Sequence, residues 1–481
     1  MRLGPLYDNV CVCGGDDMGH RFSRRQFLVL AGAAAAGCGL HGRSAEFAPV
    51  WKAGLAKVRI TPDKSVWMTG YGARTKPSEG TLHDLYARAL ALEDASGARA
   101  VLVTADLIGV SASVAKMVTD EAQRRYGLAR DRLMLAFAHT HGGPSVANLL
   151  QVLANPRMTP EQQRDVEDYT RGLVGKIVVL VGEALADLRP ARLSVGQGEA
   201  PFAMNRRKKT EKGYVIGVNP DGPTDHTVPV LRVDGEDGRL RAVVFLYACH
   251  NTTLGGDIYQ FHGDYAGFAE SALEARHPGA AAMFMMGCGG DANPHPRGTV
   301  DLAHQHGETL AGAVDAVLGG AMRPVHGPLR TAFGTAALEF APPPTRETFE
   351  AQMRDPNLFK QWHAKEMLAL LDRDGRLPAT YPAPVQVWRF GQEMMIVALG
   401  GEVVVDYALR LKKELGADGL WVAAYCNDVF AYVPSRRVLE EGGYEAGGAM
   451  IYYGHPGPFA TDVEEVLIRR VGDLVGQVQG R

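Results

Sequence analysis

Four short stretches of this 481-residue chain hold side chains able to bind a metal ion and move protons. Ala138-His139-Thr140-His141-Gly142-Gly143-Pro144 follows an apolar run and reads as the end of a buried strand. Residues two apart in extended chain face one side, so His139 and His141 project together. One imidazole can bind a metal while its neighbour reaches a ligand in the same pocket; two surface histidines at a strand end would give the same pattern. Tyr247-Ala248-Cys249-His250-Asn251-Thr252-Thr253 also closes an apolar strand. A lone histidine there is more often a satisfied structural group, but ligands from separate strand ends converge on the rim of a sheet. Asp264 follows at a helix start, where N-capping explains an acidic residue equally well. In Met286-Gly287-Cys288-Gly289-Gly290-Asp291-Ala292-Asn293-Pro294, Asp291 is placed to hold a histidine or a water, with an Asx-turn before Pro294 as the plainer alternative. Leu399-Gly400-Gly401-Glu402 runs from a strand straight into a helix. An acid at a helix start serves the dipole, and the flanking glycines favour a ligand. Tyr432 and Tyr444, in aromatic-rich segments near the C-terminus, read as core when taken alone.

The elements that must position these residues follow from periodicity. Val58–Ile60, Tyr86–Leu92, Ala100–Ala105 and Leu133–Ala138 run apolar like strands, the third like one buried on both faces. Pro229–Val233 and Ala242–Ala248 form a hairpin across Gly235-Glu236-Asp237-Gly238, and Val385–Phe390 pairs with Met394–Leu399 across Gly391-Gln392. Ala281–Met286 and Trp421–Tyr425 are further strands. Helical spacing marks Ser113–Tyr126, Glu161–Leu188, Tyr265–Arg276, Val300–Leu318, Val404–Leu415 and a final helix near Val463–Val478. Helices alternate with strands but hairpins interrupt the alternation, so the expected fold is α/β, a mixed β-sheet core flanked by helices. Phe340–Pro344 is the best linker candidate, although motifs on both sides serve one site.

Composition narrows the function classes. The chain is 46% hydrophobic and 22% charged, with 51 Lys and Arg against 54 Asp and Glu. That is an ordinary globular balance with no electrostatic footprint for nucleic acid. Ser23-Arg24-Arg25-Gln26-Phe27-Leu28 matches the twin-arginine export pattern and precedes an apolar run too short to span a bilayer. Ala35-Ala36-Gly37-Cys38 resembles a lipobox, with Ala35 where such boxes usually carry Leu. Residues 1–45 therefore read as a signal for the twin-arginine translocase, with Cys38 acylated or cleavage nearby; Met18 is an alternative start. The expected location is periplasmic, free or anchored to the membrane through a lipidated Cys38. Cys11 and Cys13 lie upstream, leaving Cys249, Cys288 and Cys426 as small buried thiols without metal-site spacing.

Taken in order, these segments resemble the N-terminal catalytic domain of neutral (alkaline, non-lysosomal) ceramidases. Gly70-Tyr71-Gly72-Ala73-Arg74, Leu82-His83-Asp84-Leu85-Tyr86-Ala87-Arg88-Ala89 and Met204-Asn205-Arg206 add to the likeness, which covers about residue 51 to 481 as one catalytic domain. The resemblance implies one zinc ion held by His139, His250, Glu402 and Tyr432, the last supported by its spacing to Tyr444-Glu445-Ala446. It makes His141 the histidine facing the scissile carbonyl and Asp291 the acid of the family's Gly-Asp motif. Asn205 and Arg206 become contacts to polar groups of a lipid or other small-molecule amide. The implied reaction is amide (N-acyl) hydrolysis by a zinc-bound hydroxide, with His141 and Asp291 catalytic. Two departures matter. Ala292-Asn293-Pro294 replaces the family's Ser-Pro tail, which favours the metal mechanism over an acyl-enzyme. The chain also stops near the end of the catalytic domain, without the family's C-terminal β-sandwich, so amide hydrolysis is expected and ceramide itself is left open. An esterase on the same scaffold and a non-catalytic solute-binding lipoprotein are the competing readings.

Overall fold

Alternation of side-chain direction along strands buried on both faces decides how the layers stack. The computed structural model describes residues 51–480; the twin-arginine segment, Cys11, Cys13 and Cys38 lie outside the described residues. In the neighbouring strands Tyr86–Asp94 and Arg99–Ala105, Ala89, Ala91, Val101 and Val103 join one hydrophobic cluster, while Leu90, Leu92 and Leu102 join another. Successive side chains of a strand point to opposite faces, so this sheet is apolar on both sides and must be covered twice.

The sheet has nine strands. Its order is Ala281–Met286, Leu240–Tyr247, Thr227–Gly235, Arg189–Glu199, Trp51–Arg59, Tyr86–Asp94, Arg99–Ala105 and Leu133–Phe137, with Arg323–Val325 also pairing with Arg189–Glu199. The pairs at the two ends are parallel and the others antiparallel, which makes the sheet mixed as expected. One face packs on helices, among them Pro160–Ala186, whose Leu173, Ile177 and Val181 lie against the Ala89 face. That helix begins with a capping box between Thr159 and Gln162, which satisfies orphan N–H groups of its first turn.

The other face meets a second sheet of four strands, Leu329–Glu339, Thr380–Phe390, Met394–Leu399 and Leu420–Ala423 in that order. Trp388, Ile396 and Trp421 point at the large sheet and share its inner cluster. Val385, Val387 and Val397 point outward, where helix Val463–Gln479 covers the sheet with Leu467 and Val471. The molecule is thus layered helix, sheet, sheet, helix, and the mixed core is two sheets rather than one. No described helix is long and apolar enough to cross a membrane. Phe340 does not start a free linker: it is buried, stacks on Phe459, and the next N–H, of Ala341, donates to Pro458 O at 2.9 Å.

Convergence of strand ends is the feature that matters for function. Ala281–Met286 and Leu133–Phe137 are opposite edges of the large sheet, yet the segment leaving Leu420–Ala423 touches both. Ala424 N–H donates to Met286 O at 2.9 Å and Asn427 N–H to Leu135 O at 2.7 Å. A bridge between Thr140 and Asn251 joins the end of Leu133–Phe137 to that of Leu240–Tyr247. The carboxyl ends of four strands from both sheets therefore open onto one place.

Candidate metal centre

His139 follows strand Leu133–Phe137 and holds a left-handed backbone, φ 58°. That conformation is uncommon for any residue but glycine, and here the surrounding contacts hold it. Its Nδ1 lies 2.7 Å from Ile108 O, and Tyr425, also left-handed at φ 55°, packs its ring 4.3 Å from the imidazole centroid. His250 leaves strand Leu240–Tyr247, with Nδ1 2.6 Å from Gly289 O. The loop after it is fixed by Asp264, whose carboxylate accepts from Thr253 N at 3.1 Å and Leu254 N at 2.9 Å. Asp264 thus ties strand end to helix, and the residue capping that helix is Gly263.

Glu402 arrives from the second sheet. Gly401 before it has φ 84°, and a Cβ there would stand 2.9 Å from Ala431 O, so only glycine lets Glu402 pair in parallel with Tyr432. The carboxylate Oε2 sits 3.1 Å from His139 Nε2 and 3.0 Å from His250 Nε2. Tyr432 OH is 3.2 Å from His250 Nε2. The other carboxylate oxygen, Oε1, accepts a hydrogen bond from Tyr453 OH. All four side chains are buried.

The donor set can be tested against a metal. A backbone carbonyl only accepts, so in the neutral ring each Nδ1 beside one carries the proton and leaves Nε2 to bind a metal. Burial, with Arg206 next, lowers the His250 pKa to about 4, so His250 is neutral near pH 7. Burial alone would raise the Glu402 carboxyl, but His139 and His250 outweigh it and keep the group well below its ordinary range. His139 Nε2 and His250 Nε2 thus both lie within hydrogen-bond distance of Glu402 Oε2. A metal ion there would take the place of protons that the imidazoles otherwise share with the carboxylate. Tetrahedral zinc bonds of about 2.0–2.1 Å set neighbouring donors about 3.3 Å apart, close to the separations found. Carbonyls fixing the far ring nitrogens complete the pattern of a metal-binding histidine. The residues fit a metal ion.

His141 borders this centre, with its Nε2 3.2 Å from His139 Nε2. Donor atoms of His139, His141 and His250 all lie within 4.8 Å of one another. Burial first, then the neighbouring His139 and His250, keeps His141 neutral, well below 6.5, and its Nδ1 is buried with no partner in the structure. Gly70 presses on this ring: a Cβ there would lie 2.5 Å from Nδ1. Arg74 of the same loop donates to His141 O at 2.7 Å. A cavity of about 340 Å³ opens onto His141, Glu402 and Tyr432, and its lining includes Leu150, Leu153, Tyr444, Tyr452, Thr252 and Asn293.

The remaining sequence expectations fall out differently. Arg206 lines the cavity, donating to Tyr432 OH at 2.9 Å, Glu445 at 2.8 Å and Asn293 at 3.2 Å. Asn205, expected to contact substrate, is buried and faces protein: its Nδ2 donates to Pro223 O at 3.0 Å and Asp291 at 3.2 Å. Asp291, expected to hold a histidine or a water, has its carboxylate on Val405 N at 2.9 Å and on Asn205. It binds the turn after Glu402 to strand Ala203–Asn205, and burial pushes its pKa up to about 7. The thiols of Cys249, Cys288 and Cys426 are free and buried. Sequence reasoning missed Tyr425 and Tyr453. Both sit in tyrosine-rich segments, where nothing in the pattern separates a side chain holding a ligand from one filling the core.

Fold and site together define a mixed-sheet α/β protein with a buried histidine–carboxylate cluster able to hold a metal ion at converging strand ends. The model of the family described as "Neutral/alkaline non-lysosomal ceramidase, N-terminal" matches residues 51–327, and the chain belongs to that family. Curated relatives include neutral ceramidase B of Dictyostelium discoideum, 25% identical over 250 residues, covering 48% of this chain and 33% of the relative. Neutral ceramidase of Drosophila melanogaster is 24% identical over 267 residues, covering 52% and 36%. The match spans about a third of these relatives' length. Among solved structures, neutral ceramidase from Pseudomonas aeruginosa superposes with a TM-score of 0.67 at 22% identity, covering 90% of this chain and 75% of that one. A ceramidase complexed with C2 gives 0.69 at 20%, covering 90% and 76%. They share the fold.

Proposed function

We propose that this chain is a zinc-dependent hydrolase that cleaves the amide bond of an N-acyl substrate with an aliphatic acyl chain. The observation that carries the reading is the convergence of His139 Nε2 and His250 Nε2 on Glu402 Oε2 beside a cavity that Glu402 lines. With Tyr432 these residues would hold the ion. When bound, zinc supplies a Lewis acid for a carbonyl and activates water as a nucleophile near neutral pH.

The chain's own groups supply the rest. The lining by Leu150, Leu153 and Tyr452 suits the acyl chain and excludes water from the cavity. His141 keeps one N–H and one lone pair because burial holds it neutral. Its N–H is placed to donate to an oxygen as charge develops there, an effect of roughly 3 kcal/mol for one such donor. Arg206 donates to the Tyr432 oxygen and so works against the burial that holds the Tyr432 pKa well above its ordinary value. Asp291 and Asn205 act at one remove, anchoring the Glu402 turn to strand Ala203–Asn205. Family membership and the relatives' names support a lipid amide as substrate. The Arg24-Arg25 pattern supports export by the twin-arginine route to the periplasm, and Cys38 supports attachment there through a lipid.

A panel of N-acyl amides, including a fluorogenic ceramide, and matched O-acyl esters tests the proposal on the zinc-loaded chain. Fatty acid release from amides, abolished by chelation and restored by zinc, is the expected result. Cleavage of esters alone, or turnover indifferent to chelation, contradicts it.

A further inference from the structure

The cavity over the metal centre has one basic group whose charge is not spent on the protein. Arg206 is buried and committed to Tyr432, Glu445 and Asn293. Arg297 lines the same cavity beside Tyr71 but is exposed, and among the described residues no carboxylate pairs with it. Glu402 is the carboxylate among the cavity's lining residues, and it is held by two imidazoles and Tyr453. Arg297 therefore leaves the cleft one positive charge without a carboxylate partner, while Leu150 and Leu153 add aliphatic surface to the lining. A solvent-exposed guanidinium gains little from one surface partner. One at the rim of a cleft that a ligand closes gains more, because the ligand displaces water and the guanidinium fork matches a carboxylate or phosphate.

We propose that the substrate is an N-acyl amphiphile whose polar end carries an anionic group, received by Arg297 at the mouth of the cavity. The idea rests on the amide-hydrolase reading and sharpens its substrate class. An N-acyl amino acid has this chemistry, with a carboxylate beyond the amide; an amide-linked lipid bearing a phosphate or sulfonate shares it. Neutral N-acyl alcohols lack the charge.

The test compares N-lauroylglycine with N-lauroylethanolamine, matched in acyl chain and differing in charge, on the zinc-loaded full chain and on Arg297→Gln. O-phospho-N-lauroylethanolamine is a third arm that separates phosphate from carboxylate. The expected result is a kcat/KM at least about tenfold higher for an anionic amide than for the neutral one, the size of one charge-assisted hydrogen bond. In Arg297→Gln that ratio should fall to about unity. Equal rates for charged and neutral amides in the parent chain, or a ratio that survives the substitution, overturn the proposal while leaving amide hydrolysis intact. If no amide is cleaved, the hydrolase reading falls. Calorimetric binding of the same compounds to the same two proteins then decides the anion preference by the same tenfold criterion.

Discussion

Each metal-site side chain is held by a second group, and the Glu402 arrangement makes the sharpest demand. Tyr453 OH donates to Oε1, leaving Oε2 to face both imidazoles. Groups that orient a ligand in this way typically govern metal affinity by ten- to a hundredfold. Tyr453→Phe keeps the ring and removes the donor, so it should weaken zinc binding by about 10–100-fold in competition with a chelator while the circular dichroism stays unchanged. Unaltered affinity would show that Tyr453 merely fills space. At this scale the sequence was informative where residue type is itself rare in a strand end: His139, His141, His250 and Glu402 stand out among small and apolar neighbours. Asn205 and Asp291 were misleading, because a polar residue beside a site looks the same whether it faces substrate or another loop. Their burial and mutual hydrogen bond appear only once the chain is folded.

Among the elements, the loop from Ala424 to Ala431 joins the two edges of the large sheet and delivers Tyr432. Asp428 lies within it, accepting from Tyr381 OH at 2.6 Å. Burial raises its pKa from 3.8 to about 7, opposed by that hydrogen bond. The folded state therefore binds this proton more tightly than the unfolded state does, and stability falls as pH rises between those two values. The slope from one such group reaches about 1.4 kcal/mol per pH unit. Asp428→Asn should remove that contribution, so denaturant midpoints measured from pH 4 to pH 8 should decline less steeply for the variant than for the parent chain. Parallel curves would place the Asp428 titration elsewhere. Elements with apolar runs, such as Ala281–Met286 and Val300–Leu318, have the bounds that periodicity predicts. Strand Arg189–Glu199 does not announce itself: Pro190, Gly196 and Gly198 interrupt its alternation, and its place inside the sheet comes from neighbours on both sides.

Over the whole molecule, the two-sheet layering explains how ligands so far apart in sequence meet. His139 and His250 come from the large sheet, Glu402 and Tyr432 from segments tied to the small one, and the segment after Ala423 pulls both onto one rim. A mixed sheet with helices is legible from the order of periodic segments, whereas the second sheet is not: hairpin patterns fix pairs of strands but say nothing about which face of another sheet they cover. The central claim is that these separated segments cage one ion. Zinc content per chain, measured by elemental analysis after loading and exhaustive desalting, tests it most directly. The account predicts one zinc in the parent chain and none in His139→Ala or Glu402→Ala, each still folded by circular dichroism. Retention of stoichiometric zinc by either folded variant, or none in the parent, would contradict it.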